Sequence, residues 1–215
     1  MNKKTAVFSM LTLFLPVLCG ALLWNRLPDR IATHFDINGV ADGYSGKAVA
    51  VFVLPLILAA VQLACIFAVG LSKRASNVSG KVKNIVLWLC PVFSAAVFAC
   101  IYGHALGRGI NIAAVFTALI GLEFIILGNY MPKTRQNRVI GIRIPWTLAD
   151  ETNWNRTHRF AGKIMVVCGF AVLLNAMLDI WSTAVSVVLI FVCCIIPIIY
   201  SVVLSGKNKG DNKIS

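Results

Sequence analysis

NYMPKTRQNRVIGIRIPWTLADETNWNRTHRFAGK, from Asn129 to Lys163, is the longest polar interval in an otherwise apolar chain. The side of a membrane on which it falls sets how every other segment is threaded. Seven of the twenty Lys and Arg residues sit in it: Lys133, Arg135, Arg138, Arg143, Arg156, Arg159 and Lys163. Trp146, Trp154 and His158 are interleaved with them.

Outside this interval the sequence is oily. Apolar residues make up 59% of the 215 and charged residues 13%, where soluble domains carry about a quarter charged. The mean hydropathy is +0.82. The apolar runs are continuous and do not alternate, so they read as helices rather than barrel strands. At roughly 20 residues per crossing the sequence predicts six spans, near 5–24, 48–71, 84–106, 112–131, 162–180 and 183–204.

The net charge of +12 is explained by its placement. With the amino terminus inside, the inner segments hold Lys3, Lys4, Lys73, Arg74, Lys81, Lys83, the seven residues above, Lys207, Lys209 and Lys213. The outer segments keep Arg26, Arg30, Lys47 and Arg108. The positive-inside rule therefore predicts an all-α, polytopic integral membrane protein with both termini cytoplasmic. The basicity calls for membrane lipid and no nucleic acid, since each juxtamembrane cation attracts anionic lipid by about 1 kcal/mol.

The opening MNKK and its apolar run resemble a signal peptide, but the run is about as long as a full span and no small-x-small site follows, so it reads as a retained span. Seven cysteines all fall within predicted spans without metal-ligand spacing, which argues against disulfides and metal. Walker, HExxH and nucleophile-elbow patterns are absent, and neither enzymatic activity nor a cofactor is expected.

The only long outer loop, Asn25 to Lys47, carries the turn pairs Asn38-Gly39 and Asp42-Gly43 beyond a short Ile31–Phe35 segment, which predicts a small hairpin. Asp36, Asn38 and Asp42 invite a calcium reading, but Val40 and Ala41 stand where an EF-type loop needs a ligand and a glycine. Pro28, His34, Asp36, Gly39 and Gly43 are the candidate extracellular recognition loop, against the alternative that they are turn formers. Inside the spans, Gln62 is expected to hydrogen-bond a neighbouring helix. Glu123 is the one ionisable group near a span centre, either functional or a carboxyl bonded to Gln62 or a carbonyl.

Within the polar interval, Thr147 followed by Asp150 and Glu151 reads as a helix start, with Thr147 as N-cap of a short interfacial helix from Leu148 toward Phe160. Trp154 and His158, four apart, would share one face as interfacial anchors, flanked by Arg156 and Arg159.

Several runs then carry a resemblance: Ile140-Gly141-Ile142-Arg143, Pro145-Trp146-Thr147-Leu148, Asp150-Glu151-Thr152, Trp154, and His158 to Lys163. They resemble the signature of the SdpI family of bacterial membrane proteins. Leu27-Pro28-Asp29, with Gly39 and Gly43 to Lys47, is similar to the amino-terminal domain that accompanies it. The resemblance implies a toxin-immunity and signalling role, with a secreted toxic peptide engaged outside and an ArsR-type repressor held inside. It places an inner functional surface at Arg143, Trp146, Thr147, Trp154, His158 and Arg159. The chain divides accordingly into a two-span unit (1–71), spans three and four (72–131), the motif loop (132–161), and spans five and six with a basic tail (162–215). The alternative from another class is a small transporter or exporter with a mid-membrane site at Glu123 and Gln62.

Overall fold

The computed structural model describes residues 2–71, 75–178 and 180–211; Lys73, Arg74 and Lys213, counted above with the inner cations, lie outside them. Among the described residues, six helical segments are long and apolar enough to cross a membrane: Lys3–Leu22, Val49–Gly70, Gly80–Ala105, Ile112–Lys133, Glu151–Leu178 and Thr183–Gly206. The protein is a multi-pass cell-membrane protein. Its flanks expose Phe8, Leu18, Phe67, Val167 and Phe191, side chains that face hydrocarbon at no cost.

The first span is broken. Helix α1 (Lys3–Thr12) ends and α2 (Leu15–Leu22) begins around Pro16, which cannot donate back to Thr12. Tyr102 Oη donates to the Pro16 carbonyl at 3.0 Å. At one end of the bundle, β1 (Arg30–Phe35) pairs antiparallel with β2 (Ala41–Gly46). The predicted hairpin is thus present. Leu27 and Ile31 anchor it on a core of Ala50, Val51, Phe98, Ile101 and Tyr102. Lys47 ties down its base, donating to the Leu27 carbonyl at 3.0 Å and pairing with Asp29 at 3.2 Å.

The second span is α3 (Leu54–Ile66) with π-helical turns on either side. Then follow α4 (Gly80–Ala105), α5 (Ile112–Tyr130), the five-residue α6 (Pro145–Ala149), α7 (Glu151–Leu178) and α8 (Thr183–Asp211). The expected separate interfacial helix is not formed: from Glu151 onward its residues are the first turns of α7, continuous with the fifth span. No glycine, proline or competing cap interrupts Glu151–Ala161, so the backbone ladder simply continues.

Helices α5 and α7 pack most closely, and four glycines are the reason. Gly121 lies on Gly169, and Gly128 lies on Gly162. A Cβ on Gly121 would stand 2.9 Å from the Gly169 carbonyl oxygen, and one on Gly128 2.8 Å from that of Gly162. Each pair of glycines is spaced two helical turns apart, so the antiparallel helices meet backbone to backbone at both levels. Between α7 and α8 the contact is polar at both ends. Near the motif loop, Asn153 donates to the Ser201 carbonyl at 2.9 Å and Ser201 Oγ donates back to Asn153 Oδ1 at 2.6 Å. Near the hairpin, Asn175 bonds Ser186 Oγ at 3.0 Å.

Candidate functional site

The motif loop is built on buried polar side chains that replace the hydrogen bonds a loop cannot make with itself. Asn137 is buried and makes four such bonds: it accepts from the N–H groups of Val139 and Ile140, and donates to the carbonyls of Arg135 and Ile140, all within 2.7–2.9 Å. Gln136 donates to the Thr147 carbonyl at 2.7 Å and so fastens the loop to α6. Thr147 Oγ1 accepts from the Ile144 N–H at 3.1 Å and lies 2.7 Å from the Ile142 carbonyl, its acceptor. Thr147 therefore sits in the first turn of α6 rather than at an N-cap. Asp150 separates the helices and accepts from the Thr152 N–H at 2.7 Å, serving the start of α7.

Trp154 and His158, one turn apart on α7, stack with ring centroids 3.9 Å apart and planes 18° from parallel. Trp154 Nε1 donates to the Thr134 carbonyl at 2.7 Å. His158 Nδ1 lies 2.8 Å from the Trp154 carbonyl, which only accepts, while Nε2 lies 3.0 Å from the Ile142 N–H, which only donates. These partners fix the ring as the neutral tautomer protonated on Nδ1. Gly141 rests on this stack with φ +116°, and a Cβ there would overlap His158 Nε2 and stand 3.1 Å from the Trp154 ring. The Ile140–Arg143 turn is possible because its glycine admits both the dihedral and the approach.

The inner surface expected of six residues is corrected by burial. Thr147, Trp154 and His158 are 0% exposed and form the interior of the loop, whereas Arg143, Trp146 and Arg159 are exposed. Helix spacing placed Trp154 and His158 on one face correctly, but the loop folds back over that face. Arg143 Nη1 donates to the Arg138 carbonyl at 2.9 Å, and Arg135, Arg138 and Arg156 are also exposed. The exposed part of the motif is thus arginines and Trp146, and its interior is aromatic and amide.

At the other end of the bundle the hairpin overhangs a cleft. Its apolar part, about 290 Å³, is lined by His34, Phe35, Asp36, Ile37 and Gly39 of the hairpin, by Ile112, Phe116 and Ile120 of α5, and by Val187 of α8. A polar part of about 280 Å³ shares Ala113, Thr117 and Thr183 with it and adds Asn38, Asn111 and Asn175. Of the loop candidates, His34, Asp36 and Gly39 line this cleft. Gly43 backs onto the Cβ of His34, and Pro28 is exposed away from it. Asp36 has a local task, accepting from the N–H groups of Asn38 at 2.9 Å and Val40 at 2.8 Å. Gly39, at φ +79°, turns the chain against Ala113 of α5. His34 Nδ1 pairs with Asp42 across the hairpin.

The two intramembrane polar residues are not joined. Gln62 is fully buried and donates to Ser9 Oγ and the Leu87 carbonyl, both at 2.9 Å, so it bonds neighbouring helices as expected. Glu123 lines a separate groove between α4 and α5, whose walls do not include Gln62.

The residues missed by sequence reading are Thr134, Gln136, Asn137, Asn153 and the cleft residues Asn111 and Asn175. A buried amide has no periodic signature, so they could not be found by pattern. The glycines at 121, 128, 162 and 169 did carry a signal, a repeated seven-residue spacing within the predicted spans 112–131 and 162–180.

Residues 133–201 match the SdpI/YfhL protein family, and residues 11–59 match a domain of unknown function, DUF1648. The first interval covers the motif loop, α6, α7 and most of α8; the second covers α2, the hairpin and the start of α3. The chain is 27% identical over 203 residues to a protein named "Immunity protein SdpI" from Bacillus subtilis (strain 168), covering 94% of each. No solved structure matches the chain significantly.

Proposed function

We propose, from the premise that this chain belongs to the SdpI family of multi-pass cell-membrane proteins, that it is an immunity protein protecting its cell from a secreted toxic peptide, and acts without catalysis. The observation that carries this reading is the end-to-end similarity to the Bacillus subtilis immunity protein, 94% of each chain. The peptide is engaged at the outer, hairpin-bearing end, where the cleft of His34, Asp36, Asn111, Asn175 and Thr183 offers apolar room beside amide and hydroxyl groups.

Helix α7 runs from Asn175 at the cleft to Trp154 and His158 under the motif loop, and the glycine contacts hold it against α5. A peptide that prefers one arrangement of this pair shifts the inner surface by that preference and no more. The finer form of the proposal is that Arg143, Trp146 and Arg159 then hold an ArsR-type repressor at the membrane.

The test is expression in a sensitive host, challenged with a secreted toxic peptide active on that host. Protection by the wild type and its loss in Arg143→Ala or Trp146→Ala at equal membrane levels are expected. Unchanged survival and unchanged reporter induction in both variants would refute the surface. A second reading, a small transporter using Glu123 without Gln62, draws on the placement of Glu123 in a laterally open groove. Under it Glu123→Gln abolishes transport; under immunity the same change leaves protection intact.

A further inference from the structure

The groove between α4 and α5 has a definite size, polarity and charge. Its lining runs from Lys81 to Phe93 on α4 and from Tyr130 back to Leu119 on α5, with a volume of about 410 Å³. At 1.5 Å per residue this is about 16–18 Å of length, close to the ~15 Å of a single leaflet's hydrocarbon. Its rims, Val92 and Leu122, are 51% and 44% exposed on the bundle flank, so it opens sideways to lipid.

Inside, the walls are apolar apart from Glu123. At the mouth, Asn84 and Tyr130 are joined by two ammonium groups: Lys81 Nζ lies 5.7 Å and Lys133 Nζ 4.6 Å from the Tyr130 ring centroid. Both cations are exposed and neither has an acidic partner among the described residues.

We propose that this groove is a binding site for an anionic glycerophospholipid, with one acyl chain lying between α4 and α5 and the headgroup phosphate between Lys81 and Lys133 beside Tyr130. Charge complementarity selects the headgroup, and the match of groove length to one leaflet selects the chain. The site is independent of peptide recognition, and it lies at the same end of the bundle as the motif loop.

The full-length protein is purified in mild detergent, exchanged into nanodiscs of phosphatidylglycerol and phosphatidylcholine in equal amounts, and released into native mass spectrometry. The wild type is expected to retain phosphatidylglycerol in preference to phosphatidylcholine. The Lys81→Ala, Lys133→Ala double variant should lose that preference by about thirtyfold, which is ~1 kcal/mol for each lysine near the surface. Filling the groove with Val92→Trp and Leu122→Trp should remove the retained lipid even though both lysines remain. Arg156→Ala, exposed at the same end but off the groove, removes one surface cation and should lower the preference by about fivefold at most. Melting temperature in detergent establishes that each variant is folded, and where the tryptophan pair is not, Leu122→Phe alone serves. Equal retention of the two lipids, an equal loss in Arg156→Ala, or a mass shift to a dimer that the groove-filling variants abolish would overturn the proposal.

Discussion

Replacing Gly141 by alanine tests the contact on which the motif loop depends, and two other glycines separate its causes. Gly109 has open space around its Cβ position and no positive φ; Gly107 has open space but φ +75°; Gly141 has φ +116° and a Cβ position that overlaps His158 Nε2 and touches the Trp154 ring. Gly109→Ala should be neutral or stabilising by up to ~0.5 kcal/mol, through the narrower unfolded state. Gly107→Ala adds the strain of a left-handed residue and should cost about 1 kcal/mol net. Gly141→Ala adds to that strain an overpacking cost of about 1–3 kcal/mol, because the stack beneath is fully buried and Nε2 is already bonded to Ile142. The total is about 3 kcal/mol. For a chain of this size that corresponds to a fall in melting temperature of roughly 6–12 °C, measured by thermal unfolding in detergent. Trypsin cleavage after Arg138 and Arg143 should accelerate in this variant alone. If Gly141→Ala melts no lower than Gly107→Ala, the turn does not rest on the Trp154–His158 stack and the loop has another interior.

Trp154→Phe keeps the apolar ring but strands the Thr134 carbonyl, and should cost about 1–3 kcal/mol, read as a lower melting temperature with unchanged helical circular dichroism. Asn153→Ala removes the bonds to Ser201 and Thr157 and, at about 0.6 kcal/mol per interhelical bond in membranes, should lower stability by ~1–2 kcal/mol; an unchanged melting temperature would mean that α7 and α8 are held by apolar packing. Gly128→Val drives a branched side chain into the Gly162 backbone and should abolish folded yield, whereas Gly206→Val, with open space around it, should not; size-exclusion profiles decide. Asn137→Ala should raise proteolysis in 135–144 while leaving the spans intact, since all four of its bonds are within that segment.

The amino-acid sequence by itself determined the environment and the number of crossings, because the need to satisfy every backbone group in hydrocarbon leaves a 20-residue apolar run no other form. Turn chemistry at Asn38-Gly39 determined the hairpin in the same local way, and the residue runs from Ile140 to Lys163 carried the resemblance to the SdpI family. Tertiary structure decided which side of the motif is surface. Thr147, Trp154 and His158 stand among charged neighbours in the sequence, and their burial follows from the Ile140–Arg143 turn folding back over α7, a contact across sixteen residues between Ile142 and His158. Tertiary structure also gave Gln62 and Glu123 separate surroundings, one in a helix junction and the other in a groove. Periodicity reports a residue's position along its own helix; which neighbour covers that position depends on how the helices cross, and here the crossing is set by four glycines that present only backbone to one another.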